Sequence, residues 1–175
     1  IYSCPLHVVS IAMAIAIAIW GYARTKLYGK RWNIANALLA CGMVMAILCI
    51  TIMGRTTGER ILVLKPFASL AAARTQSEAY RELLMNIFLF FPFGLTLSNA
   101  LPQSWGRWRR IGLTVITGLL LSAGIEYIQY RFALGVAETD DVICNTLGTF
   151  IGSTSLLIAH GIEKYNEKTI KHDSN

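Results

Sequence analysis

Charge is scarce in this chain. Of its 175 residues 15% are Asp, Glu, Lys or Arg, where a soluble domain carries roughly a quarter. No run of glycine, serine or proline separates two composition regimes, which excludes a linker between globular domains. The four cysteines, Cys4, Cys41, Cys49 and Cys144, contain no CxxC pair, and three of them fall inside apolar runs. They read as small apolar residues of a membrane core. HExxH, GxSxG and a phosphate-cradling glycine loop are all missing. His7 and His160 sit near span ends and His172 in the tail, which argues against a histidine-based triad. The net charge of +6 comes from short basic clusters between apolar runs, with no aromatic–basic motif beside them. Nucleic acid is therefore excluded as a partner, and the clusters read as topology signals and contacts to anionic membrane lipids.

What is abundant is apolar. Hydrophobic residues make up 54% of the chain, and the mean hydropathy is +0.49. A membrane-crossing helix needs roughly 20 mostly apolar residues. Five stretches meet that test: 6–23, 34–53, 83–101, 111–130 and 142–162. The reading is an all-α, polytopic transmembrane helical bundle of about five spans. It divides into an N-terminal transmembrane hairpin (1–58), a core of an outer loop plus spans three to five (59–162), and a cytoplasmic tail (163–175). The chain opens on Ile1, which predicts a fragment or a processed product, and its first apolar run reads as an anchor rather than a signal peptide.

Basic residues orient the bundle. Arg24, Lys26, Lys30 and Arg31 follow span one, Arg107, Arg109 and Arg110 follow span three, and Lys164, Lys168 and Lys171 follow span five. These ten are set against six on the other side, in the 54–82 loop and at Arg131. The positive-inside bias predicts an outside N-terminus and a cytoplasmic C-terminus. In the long loop, Thr75-Gln76-Ser77-Glu78 fits a capping box, so the helix of span three is expected to begin before the membrane. Lys65-Pro66-Phe67 reads as extended. Arg131 is expected to snorkel to the outer headgroups, with phosphate binding as its rival reading.

Ionisable groups inside a span cost about 2.5–3.5 kcal/mol at its centre and ask for a reason. Ser122, Glu126 and Gln129 share one face of span four. Asp141, Asn145, Gly148, Gly152 and Ser155 form one stripe of span five, with Asp140 at its start, and span three adds Asn86. The topology brings Asn86, Glu126, Gln129, Asp141 and Asn145 to one membrane level. Gly148 and Gly152 form a GxxxG pair, a helix-packing device. The polar set has two readings: hydrogen-bonded glue between spans three, four and five, or a functional pocket. As a pocket it offers Glu126 and Asp141 for acid–base work. The carboxylates Glu126, Asp140 and Asp141 with Asn145 also form an oxygen set suited to a divalent cation, Mg or Ca.

These residues also resemble a family. Asn86-Ile-Phe-Leu-Phe-Phe-Pro-Phe-Gly94 is similar to the first motif of VanZ-like membrane proteins, Glu126-Tyr-Ile-Gln129 to the second, ExxQ, and Asp141-Val-Ile-Cys-Asn145-Thr-Leu-Gly148 to the third. Pro66-Phe67 sits where the family often has PF. The resemblance spans roughly residues 60–160, with the motifs in order. Many relatives carry an arginine a few residues before the paired aspartates, where this chain has Gly135, so no role of that arginine transfers. The stretch 132–137 looks more like the teicoplanin-resistance branch. The resemblance implies low-level glycopeptide resistance, biased to teicoplanin, with no established reaction. The outer-level polar cluster fits that setting, where it would alter a lipid-linked wall precursor headgroup or bind or exclude the lipoglycopeptide itself. The rival readings are a membrane enzyme acting on a lipid-linked cell-envelope substrate, and a small transporter or interaction subunit with a structural polar cluster.

Overall fold

The computed structural model describes residues 6–27, 29–53 and 55–173. The expectations resting on Ile1 and Cys4 lie outside them, as do the side chains of His7, Lys171 and His172. Helices α1 (Leu6–Lys26) and α2 (Lys30–Leu48) lead, through a π-helical turn at Cys49–Met53, into the long loop. The loop holds a short strand β1 (Ile61–Val63) and one turn-rich helix α3 (Ala68–Ala72). Then come α4 (Ser77–Ala100), α5 (Arg107–Phe132), a strand β2 (Val136–Glu138), α6 (Thr139–Ser153) and α7 (Ser155–Asp173).

Five helical stretches are long and apolar enough to cross a membrane: Val8–Lys26, Lys30–Met53, Ser77–Ala100, Arg107–Phe132 and Thr139–Thr169. The protein is a multi-pass, all-α membrane bundle. The last stretch comprises α6 and α7, broken at Thr154. There the hydroxyls of Ser153 and Thr154 donate back to the carbonyls of Phe150 and Ile151, at 2.7 and 2.6 Å, competing with the helix's own bonds. At 31 residues this rod is about 46 Å long and outreaches a hydrocarbon core of about 30 Å. Its excess carries Lys164 and Lys168 away from the membrane at the end where α1 finishes and α5 begins. We call this the basic end and the opposite one the loop end. All four tryptophans, Trp20, Trp32, Trp105 and Trp108, belong to the basic end, as an interfacial aromatic belt requires.

α4 is the central helix. Phe90 and Phe93 pack with Ile47 of α2 and Ile125 of α5, while Phe91 and Leu95 pack with Met13 of α1. Its broadest contact is with α6. A side chain at Gly148 would strike the Ile87 carbonyl, one at Gly152 the Phe91 carbonyl, and one at Gly94 the Thr149 backbone. The GxxxG pair of α6 therefore lets the α4 backbone touch its own. α1 packs chiefly on α7 and α2 on α4. α1 and α2 meet through Trp20, whose indole N–H donates to Asn36 Oδ1 at 2.9 Å and whose ring lies 6.2 Å from that of Trp32.

Two local expectations are corrected, the first at Lys65-Pro66-Phe67, where the chain turns and Phe67 is left-handed at φ 63° rather than extended. The second is the capping box, which does not form: the Thr75 hydroxyl donates back to the Ala72 carbonyl at 3.3 Å, and Gln76 becomes the N-cap of α4 without a side-chain bond. The hydroxyl is used to finish α3 one residue before α4 can use it. The chain also builds a small element that the pattern of spans did not announce, a two-stranded parallel sheet pairing Ile61, Leu62 and Val63 with Val136, Ala137 and Glu138. The early start of span three holds, since α4 begins at Ser77.

Gly148→Leu should cost at least about 2 kcal/mol through overpacking and lower thermal stability in detergent. Gly112→Ala, where a methyl meets nothing within 4 Å, should instead hold or raise stability, by up to about 1 kcal/mol, because alanine favours the helix.

Candidate functional site

At the loop end three helices turn polar groups toward one another. From α4, the Asn86 amide donates to Asp141 Oδ1 of α6 at 2.6 Å. One turn deeper, the Asn145 amide of α6 donates to Ser122 Oγ of α5 at 2.8 Å, and both residues are buried. Glu126, one turn along α5 from Ser122, accepts the backbone N–H of Glu138 at 2.9 Å. Glu126 and Asp141 are half-buried and near enough to repel each other electrostatically. The side-chain amide oxygen of Asn145, Oδ1, is buried without a hydrogen-bond partner.

Two residues of the polar set face other work. Gln129 is buried, and its amide donates to the Thr51 carbonyl at 3.0 Å, tying α5 to the π-turn after α2. Asp140, also buried, spends both oxygens on the loop: Oδ1 accepts the N–H of Phe67 at 2.6 Å and Oδ2 that of Ser69 at 2.7 Å. It thereby caps α3 from outside that helix. Phe67 needs such help, because its φ of 63° is in the left-handed region that a bulky side chain disfavours. The Ser69 hydroxyl adds a bond to Glu138 Oε2 at 2.7 Å. Together with the β1–β2 pairing and the bond from the Gly58 N–H to the Ala133 carbonyl at 2.7 Å, these contacts strap the long loop across the α5–α6 turn.

Sequence reasoning did not find Arg55. Its Nη1 donates to the Leu134 carbonyl at 3.3 Å, and a side chain at Gly135 (φ 134°) would collide with the guanidinium. Arg55 thus occupies the space beside Gly135 and lies near enough to attract both Glu126 and Asp141. The two residues are 80 positions apart, so no local pattern joins them; the glycine itself, opening room just before the paired aspartates, was the one available sign. Arg131 is exposed, with its guanidinium 5.9 Å from the Phe132 ring centroid. His160 is at the basic end, remote from the cluster. Among the described residues no three His, Cys, Asp or Glu side chains are grouped to hold a metal ion. The oxygen set of Glu126, Asp140, Asp141 and Asn145 is divided because Asp140 turns to the loop. What the arrangement offers chemically is two half-buried carboxylates on neighbouring helices, each accepting one hydrogen bond, beneath the long loop.

Asp140→Ala should leave the helices in place but free the Phe67 and Ser69 amides. Removing charge-assisted bonds of this kind costs about 1.5–3 kcal/mol, so hydrogen exchange over 61–72 should accelerate at least about tenfold, as read by mass spectrometry.

Residues 27–160 match the VanZ/LLP1 family. Over 94 residues the chain is 36% identical to Protein VanZ of Enterococcus faecium, a stretch covering 54% of this chain and 51% of that protein. The chain therefore spans about half the length of that curated relative. No solved structure gives a significant match. The family match takes in α2, all three polar helices and the start of α7, and leaves α1 outside it. The chain belongs to the VanZ/LLP1 family.

Proposed function

We propose that this protein gives low-level glycopeptide resistance, biased to teicoplanin, by acting through the loop-end polar site at the outer leaflet of the cell membrane. The observation that carries the reading is the pair Glu126 and Asp141. They are held at one membrane depth by α5 and α6, and each accepts a neutral donor from the surrounding framework. Packing alone does not call for them. The Ser122–Asn145 bond, one turn deeper, already joins α5 to α6 without charge. Carboxylates in a span are costly, and a pair of them with Arg55 alongside suits proton transfer to or from a bound polar headgroup.

The orientation supports this placement. Arg24, Lys26, Lys30, Arg31, Arg107, Arg109, Arg110, Lys164 and Lys168 gather at the basic end, which the positive-inside bias makes cytoplasmic. The loop end then faces outward, where lipid-linked wall precursors and membrane-anchored lipoglycopeptides are found. Chemistry on a lipid-linked cell-envelope substrate is the form of action that these two intramembrane carboxylates suit best. The rival is a transporter or interaction subunit in which the Asn86–Asp141 and Asn145–Ser122 bonds serve packing.

Susceptibility separates them. In a sensitive Gram-positive host, the wild-type chain should raise tolerance to teicoplanin more than to vancomycin. Glu126→Gln and Asp141→Asn, present in the membrane at wild-type levels, should behave like the empty vector. No shift with the wild type would remove resistance as the function. Full tolerance with Glu126→Gln would leave the cluster as packing, since an amide keeps the hydrogen bond and loses the acid–base role.

A further inference from the structure

A second polar site sits at the opposite end of the bundle. A cavity of about 240 Å³ opens there between the end of α1, the start of α5 and the outer part of α7. That is several times the roughly 30 Å³ a water molecule takes in the liquid. Arg24, Arg107 and Arg110 line it, with Glu163 the one acid of the lining and Trp105 and His160 at its walls.

Arg110 is the unusual member. It is 3% exposed, and its Nη2 donates to the Ser98 carbonyl at 2.5 Å, near the end of α4. That bond alone gives it a structural role, yet its Nε is buried with no partner, and so is Nη1 of Arg24. The two guanidinium groups are near enough to repel each other. Burying charge is tolerated when it is paired and hydrogen-bonded, and here two cations with unsatisfied N–H groups line one hollow. α5 adds donors of the same kind. Its N-cap, Gly106, makes no side-chain cap bond, which leaves the first-turn N–H groups of a 26-residue helix at the cavity wall. The guanidinium fork matches phosphate oxygens in geometry as well as charge. The cavity also lies at the level of the tryptophan belt, where lipid headgroups are found.

We propose that this cavity binds a phosphate-bearing anion, held by Arg24, Arg110 and the α5 N-terminus, with Glu163 limiting its affinity. The proposal is independent of the loop-end site. The source of the phosphate is either an anionic phospholipid headgroup or a free anion, and one experiment tells them apart. The full chain is placed in phosphatidylcholine nanodiscs containing a minor fraction of phosphatidylglycerol, and retained lipid is counted by native mass spectrometry, with and without inorganic phosphate. Retention should fall at least about tenfold in Arg24→Gln and rise about threefold in Glu163→Gln, where a partly solvated repulsion is relieved. Retention that inorganic phosphate does not displace identifies the lipid headgroup. If phosphate instead competes and raises thermal stability in the wild type more than in Arg24→Gln, the site takes the free anion. Equal retention by the wild type and both variants, all monodisperse, together with no stabilisation by phosphate, would overturn the proposal. The opposite signs expected for the two variants keep a general loss of folding from imitating the result.

Discussion

Lipid gives two apolar helices no hydrophobic reason to associate, so contact between α4 and α6 depends on how closely their backbones can approach. Gly148 and Gly152 on one side and Gly94 on the other remove the side chains that would hold them apart. From that approach the rest follows in space. α4 stays central and fills both flanks with phenylalanines against α2, α5 and α1. The stripe that carries the glycines also carries Asp141 and Asn145, so the contact that seats α6 delivers its polar residues to Asn86 and Ser122. Packing and site are two stretches of a single helical face.

The polar groups divide their labour by depth and by direction. Ser122 and Asn145 form a neutral pair in the interior, and above them Glu126 and Asp141 are partly open beneath the loop. Gln129 turns to the end of α2 and Asp140 to the loop, so residues on one face of a helix have different tasks. Neighbouring carboxylates in α6 illustrate this. Asp140 satisfies backbone donors around a strained Phe67, whereas Asp141 meets a side-chain amide from α4.

Much of this was legible in the residues. Long apolar runs are a strong signal because a span must satisfy its backbone internally, and all five runs correspond to helices. The three-helix convergence was readable because Ser122, Glu126 and Gln129 share one face of their span, Asp141 and Asn145 share one face of theirs, and Asn86 lies near the same end of a third. What was not readable lies in the loop. β1 and β2 are three residues each and pair across about 75 positions, and no local pattern encodes such a partnership. Thr75 and Glu78 satisfied the spacing of a capping box, but the Thr75 hydroxyl had a nearer acceptor at Ala72. The break at Thr154 was hidden for a similar reason, since serine and threonine are tolerated within a span until their hydroxyls compete for its carbonyls. The sites of Arg55 and Arg110 depend on which distant backbone each guanidinium meets, and composition does not specify that.

The parallel pairing of β1 with β2 has a consequence for how the molecule is made. Parallel strands need a crossover between them, and here the crossover is α4 and α5, which traverse the membrane and return. The strap over the site is therefore threaded through the bilayer: β1 waits as an unpaired segment until both helices are in place and β2 emerges beside it. Phe67 gains its counterpart only when Asp140 arrives still later. The strap thus forms only after α4 and α5 have both crossed, and it is completed at Asp140, where the third helix of the site begins.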